Sequence, residues 1–460
     1  MPKIHDLATA SATELAAAVN ARQIGALELT DAAISRIEAH DGPINAVVVR
    51  DFDRAREAAK AADAIRRDGQ GRSLAGVPMT VKESHNVAGL KTTWGFEGFR
   101  DFVASEDSVG VARLKAAGAI ILGKTNVPPF LSDWQSVNPV YGRTNNPWDL
   151  GRTPGGSSGG AAAALAAGMV PLEFGSDIGG SIRVPAGFCG VYGHKPSLNL
   201  IPAKGHSPPG ADGAPMPLAV VGPMARTAAD LDLALGVLAG PYGAEAKGYR
   251  LALAPPRHTR LADYRVLILD GYPGVALEDE IRDALHGLAD GLEASGAKVA
   301  RGSALLPDLA KAAALYKQML QTLMSRGGPP TPPIPTAYDW LNMLDGQHQL
   351  RLAWAKLFES FDVVLAPVFG TVAFPHVAEP NLAARTLTIN GETTPYFFDQ
   401  MSWPGLATLP NLPATAAPIG LTRGGLPIAA QIIGPYLEDR TTIAFAQLLE
   451  QAFGGFRAPP

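Results

Sequence analysis

Glycine–serine runs at 155–160 and 175–183 are the parts of this chain best suited to covalent chemistry. The segment Thr153–Pro196 opens Thr-Pro-Gly-Gly-Ser-Ser-Gly-Gly, continues as Gly175-Ser-Asp-Ile-Gly-Gly-Ser-Ile-Arg183 and ends Phe188-Cys-Gly-Val-Tyr-Gly-His-Lys-Pro196. Ser181 stands among glycines after a strand. Successive glycines let the backbone turn so that several N–H groups converge on one point, as a developing oxyanion requires. A nucleophilic serine also needs a base, and no histidine lies near it in sequence. Lys82, at the end of the apolar run Val77–Val81, is the candidate. Burial there disfavours the ammonium form and lowers its pKa. Two other short matches compete. Gly118–Thr125 fits the phosphate-loop pattern letter by letter. However, a helix precedes it, its middle is a buried strand, and Pro128-Pro129 follow where a phosphate-binding helix should begin. Gly156-Ser157-Ser158-Gly159-Gly160 fits G-x-S-x-G with Ser158 central. That elbow needs a strand before it, and Gly151–Gly156 is not one.

The elements that must position these residues follow from periodicity. Ser11-Ala-Thr-Glu14 is a capping box opening a helix, and further helices are expected at 30–40 and at 53–68, the latter stopped by Gly69. Beyond residue 70, short apolar runs read as buried strands: Val77–Val81, Ala119–Leu122, Val170–Phe174, Val266–Leu269, Val363–Ala366 and Ile428–Ile433. Helical stretches at 108–117, 227–239, 277–295, 308–325, 337–360 and 438–453 separate several of them. This alternation specifies an α/β layered fold with a parallel or mixed sheet. A linker at 241–262 offers a division, but similar strands on both sides favour one domain. The proline-rich stretches 202–217 and 326–335 are loops.

Composition sets the outer bounds. The chain has 460 residues, 47% hydrophobic and 18% charged, with 50 glycines and 39 prolines. It is charge-poor beside the roughly 25% of an average protein, and too apolar for disorder. A formal charge of −4 supplies no field for nucleic acid or anionic membrane. The lone Cys189 forbids an intrachain disulfide or a cysteine zinc cluster, and it reads as a small buried packing residue. No signal-type segment opens the sequence. The uncharged runs 155–172 and 403–422 are broken by glycine, serine or proline, so neither is a membrane helix. A cytoplasmic protein is expected.

The segment 153–196 resembles the signature of the amidase signature hydrolases. Gly76-Val-Pro-Met-Thr-Val-Lys-Glu83 is similar to the family's lysine strand, and Ala117–Asn126, Asn138–Asp149 and Gly425–Gly434 resemble further family blocks. The likeness covers about 70–240 and again about 400–450. It implies one α/β/α domain over residues 1–460, built around a large mixed sheet, with a variable substrate-pocket region at about 300–345. It also implies a Ser–Ser–Lys triad, with Ser181 as nucleophile, Ser157 as a bridging serine held by a cis peptide bond, and Lys82 as base. Ser157 follows Lys82 by 75 residues and precedes Ser181 by 24, as the family's spacing has it. The N–H groups of Ile178, Gly179, Gly180 and Ser181 match the oxyanion hole. Asp177 and Arg183 match a structural charged pair, and Ser158 a support. Trp134 and Gln135 occupy a position that borders the substrate site in relatives. The stretch 305–345 carries apolar residues at helical spacing, Tyr316 among them; most of this set reads as core, with a subset lining a pocket. His194 and His206 are read as ordinary hydrogen-bonded residues.

The implied activity is hydrolysis of C–N bonds in small apolar or aromatic amides or anilides through an acyl-enzyme. Carbamates (urethanes) and esters are further candidates. No cofactor or metal is implied, and no partner beyond a small-molecule amide or carbamate; the chain is expected as a monomer or homodimer. Two other readings stand beside it: the glutaminase subunit of a tRNA-dependent amidotransferase, and a non-catalytic scaffold homologue.

Overall fold

Short apolar runs buried on both faces cannot stay as loops, because their backbone N–H and C=O groups need partners away from water. They pair into one eleven-stranded sheet. In this computed structural model, which describes residues 7–64, 71–211, 213–325 and 334–460, its strands are β1 (Val47–Arg50), β2 (Pro78–Lys82), β3 (Ile120–Thr125), β4 (Leu172–Asp177), β5 (Tyr192–Lys195), β6 (Val220–Ala225), β7 (Arg265–Ile268), β8 (Lys298–Ala300), β9 (Val363–Pro367), β10 (Ala414–Leu421) and β11 (Pro427–Ile433). Their spatial order is β1-β3-β2-β4-β6-β5-β10-β11-β9-β7-β8. The pairs within β3-β2-β4 and β9-β7-β8 are parallel and the others antiparallel. The fold is thus the mixed α/β arrangement that the alternation specifies.

The six expected strands and six of the expected long helices are present, each displaced at its ends by a few residues. The helix expected at 30–40 is longer, Ala26–Ile44, and ends where Asn45 takes the left-handed conformation. The helix expected at 53–68 is described as Phe52–Ala64, and its remainder, with the Gly69 stop, lies outside the described residues. So does most of the loop 326–335, through residue 333. Besides the single turn Glu245–Gly248 in the expected linker, the helices Arg183–Cys189 and Ser402–Thr408 lack a sequence expectation. Of these, the latter two bear on the site. Each carries a proline at its third position, Pro185 and Pro404. A first-turn proline is tolerated because that N–H has no intrahelical acceptor. These two short helices flank the glycine–serine segment and hold it from both sides.

Every residue of β2, β4 and β6 is buried. The helix Gly159–Ala166 is also buried throughout, which its glycines and alanines permit. At Gly156 a Cβ would lie 2.3 Å from the Asp133 carbonyl oxygen, so no larger residue fits. Among the described residues, no helix is long and apolar enough to cross a membrane, and none of their side chains cluster as a metal site.

Candidate active site

Lys82 is the last residue of β2, where the strand delivers it into the interior with no exposed surface. Its Nζ lies 2.6 Å from Ser157 Oγ, 2.9 Å from Ser176 Oγ and 3.5 Å from the Ser176 carbonyl oxygen. A neutral amine has two N–H groups and one lone pair. The two Ser176 oxygens accept the N–H groups, leaving the lone pair for the Ser157 hydroxyl proton. Burial holds the Lys82 ammonium pKa well below the ordinary lysine value, with Asp177 and Glu173 acting in the opposite direction.

Ser157 follows a cis peptide bond from Gly156. The Ser158 N–H donates to the Ser181 carbonyl at 3.1 Å, which ties the serine run to the turn carrying Ser181. Ser158 Oγ donates weakly to the Ser176 carbonyl at 3.4 Å and initiates the helix Gly159–Ala166. Ser158 therefore does not sit on a strand-to-helix elbow. Ser181 itself is 6% exposed, the small opening a nucleophile needs toward its substrate.

The turn between β4 and the helix Arg183–Cys189 presents its amides as a group. The Ile178, Gly179 and Ser181 N–H groups have no acceptor among the described residues. The Gly180 amide differs from the expectation: it donates to Asp177 Oδ1 at 2.9 Å. Gly180 has φ +95°, and a Cβ there would meet Pro404 at 2.9 Å, so its role is to shape the turn. Asp177 also accepts from Ile182 N–H at 3.1 Å and pairs with Arg183 through two contacts, 3.1 and 2.9 Å, both side chains fully buried. Burial alone would raise the Asp177 carboxyl, but Arg183 overcomes this and brings it down to about 2. Arg183 then reaches Pro404 O, Thr408 Oγ1 and Gln431 Oε1 at 2.9, 2.8 and 2.6 Å.

The two flanking residues expected near the substrate divide. Trp134 is buried, its Nε1 donates to the Gly179 carbonyl at 3.3 Å, and its ring packs on Phe369, Tyr396 and Phe397. Gln135 instead clamps Val377, donating to its carbonyl at 3.1 Å and accepting its N–H at 2.8 Å. Its amide is thus engaged in both directions by the Val377 backbone.

Three residues near the site were not singled out from the sequence. Ser176 lies inside the glycine–serine segment. Glu173 interrupts the apolar run of β4; burial pushes its carboxyl up to about 7, against the Thr80 hydroxyl that donates to it at 2.5 Å. Tyr316, one of the apolar set at 305–345, donates from its hydroxyl to the Ile178 carbonyl at 2.6 Å. The histidines stay apart from this chemistry. His194 sits between Thr415 and Asp439, and His206 contacts Ser84 and is held neutral, its pKa lowered to about 3 chiefly by burial. Lys124 of the phosphate-loop match is buried against Lys91 O and Thr92 Oγ1, which leaves it no phosphate to meet.

The Amidase family model matches residues 28–327 and 331–443. The chain is 33% identical to fatty-acid amide hydrolase 2-A of Danio rerio, over 100% of this chain and 91% of that protein. It is 32% identical to a glutamyl-tRNA(Gln) amidotransferase subunit of Roseiflexus castenholzii, over 96% and 95% of the two chains. It superposes on a bacterial aryl acylamidase of the amidase signature enzymes with a TM-score of 0.81 at 28% identity, covering 97% of this chain and 96% of that one. Fold and likeness together define a hydrolase of amide C–N bonds. The chain belongs to the amidase signature family.

Proposed function

We propose that this enzyme hydrolyses small apolar or aromatic amides and anilides through a Ser181–Ser157–Lys82 relay, with carbamates and esters as further substrates. The observation that carries the reading is the buried 2.6 Å contact between Lys82 Nζ and Ser157 Oγ. Neutral Lys82 takes the Ser157 proton while Ser157 takes that of Ser181, whose Oγ attacks the carbonyl carbon. The oxyanion forms against the Ile178, Gly179 and Ser181 N–H groups. Running the relay backwards protonates the leaving amine, and water then releases the acyl group. The substrate class is supported by the aromatic cluster of Trp134, Phe369 and Phe397, which the Trp134 Nε1 hydrogen bond to the Gly179 carbonyl ties to the nucleophile turn. Next to it, Arg385 and Asp133 pair with each other at 2.6 Å, and the Tyr396 hydroxyl donates to Asp133.

The test is a panel of anilides, primary amides, carbamates and glutamine, combined with a fluorophosphonate probe. Wild type should label at Ser181, and Ser181→Ala should lose both the label and turnover. Glutamine turnover without anilide turnover would favour the glutaminase reading. An unlabelled wild type would favour the scaffold reading.

The pH profile is a second test. Because only neutral Lys82 can accept the proton, kcat/KM should rise with unit slope as pH passes through the lowered Lys82 pKa, then level off. A kcat/KM with no acid limb at any pH where the enzyme stays folded, or one that rises only near the ordinary lysine value of about 10.4, would assign the base elsewhere or leave Lys82 charged.

A further inference from the structure

Tyr316 lies on the helix Leu309–Met324, about 135 residues beyond the nucleophile turn (Ser181 to Tyr316) and inside the variable middle region. It is 2% exposed, and its hydroxyl donates to the Ile178 carbonyl oxygen at 2.6 Å. The amide joining Ile178 to Gly179 is planar and trans. In a trans amide the C=O and N–H point in opposite directions, so a donor that fixes the Ile178 carbonyl also fixes the direction of the Gly179 N–H. That N–H is one of the three without an acceptor among the described residues.

We infer that Tyr316 is a positioning residue for the oxyanion site, aiming and polarising the Gly179 N–H through the Ile178 carbonyl. The inference rests on the reading of Ser181 as nucleophile. Polarisation adds to aim, because a donor on the carbonyl of an amide draws electron density from its nitrogen and makes the N–H a stronger donor in turn. The tyrosine is held for this task. A Cβ at Gly405 would lie 2.8 Å from its ring, so the ring fits against bare backbone there. Met319, Leu320 and Leu323, one and two turns on, are buried and anchor the helix. Burial also raises the phenol pKa, so the hydroxyl remains a donor at all working pH values. Trp134 holds the next carbonyl, that of Gly179. The adjoining Gly180 N–H is given to Asp177, so this second brace sets the turn without aiming a free donor.

The effect should appear only as negative charge develops on the substrate oxygen. Tyr316→Phe keeps the ring and removes the donor; Tyr316→Met fills the space without either ring or hydroxyl. With turnover expressed per site titrated by fluorophosphonate, both variants should lose kcat by roughly tenfold to thirtyfold. That is less than the loss on deleting an oxyanion donor itself. KM and the affinity for the product acid should stay within about twofold, while a trifluoromethyl ketone, which forms a tetrahedral adduct, should weaken by the same factor as kcat/KM. Unchanged kcat in the Phe variant overturns the role. So does a parallel loss of product and ketone binding, which would make Tyr316 a wall of the pocket. A wild type that does not label at Ser181 overturns the underlying reading, and this one with it. A labelled wild type with an unimpaired Phe variant overturns the role of Tyr316 alone.

Discussion

Lys82→Met is expected to lower turnover by roughly 10⁴-fold, the upper end for loss of a general base, while raising the melting temperature. Both effects follow from the same burial. The wild-type chain hides an amine with no exposed surface, whose hydrogen-bond partners are serine oxygens and not carboxylates. Its folded pKa is therefore lowered. Between that value and the ordinary lysine value near 10.4, the unfolded chain holds a proton that the folded chain does not. In that interval wild-type stability must rise with pH. Methionine is apolar, of similar length, and removes the term. The variant should melt above wild type near neutral pH, and the gap should close as pH approaches about 10. The slope left in the variant includes the contributions of Lys195 and Lys124, which burial lowers to about 7 and about 8, and the opposite one of Glu173, which burial raises to about 7. Melting curves of both proteins across this range, with turnover measured on the same samples, decide the matter. A variant that melts lower than wild type at every pH would mean that Lys82 is charged in the fold. A variant that turns over normally would place the base elsewhere.

The residues most legible in the sequence were those whose types cannot be exchanged. Gly156, pressed against the Asp133 carbonyl, and Gly180 at positive φ tolerate no other side chain, so the turn they shape stands out as a glycine–serine pattern. Lys82 stands out because it ends an apolar run. The long helices and the fully apolar strands were legible from their periods. Tyr192–Lys195 and Val220–Ala225 were not singled out as strands: each contains residues that read as loop punctuation, Gly193 or Gly222 and Pro223, and only the antiparallel neighbours make them strands. The short helices at 183–189 and 402–408 carry too few residues for a helical period to show. Gln135 shows a different limit, since its type suits substrate contact and only the three-dimensional position of Val377 turns it into a clamp. Tyr316 was legible as a buried aromatic. Its hydroxyl partner lies 138 residues away, and no local pattern encodes that.

Arg183→Met is expected to cost about 3–5 kcal/mol, the usual result of removing one member of a buried ion pair, and to reverse the local pH dependence. In wild type the Asp177 carboxyl sits at about 2. Its folded pKa is below the unfolded value, so its stabilisation is complete above about 4 and is lost as pH falls toward 2. Without the guanidinium, burial becomes the dominant influence and raises the folded pKa above the unfolded one. The variant should then be most stable in acid, where Asp177 is protonated in both states, and should weaken as pH rises through the raised value. Adding Asp177→Asn removes the stranded charge while keeping an oxygen that can accept the Gly180 or Ile182 N–H, so the double variant should recover much of the lost stability. Turnover should remain low in both. Arg183 is what fastens the nucleophile turn to the carbonyl of Pro404, to Thr408 and to Gln431, and neither methionine nor asparagine spans those contacts. Denaturant titrations of the two single variants and the double variant at about pH 5 and 8 separate the outcomes. A double variant as unstable as the sum of the singles, or an Arg183→Met variant without a pH slope, would show that the pair is not coupled. Stability regained without activity would separate the two tasks of this ion pair: neutralising a charge in the core, and holding three segments of chain around the nucleophile.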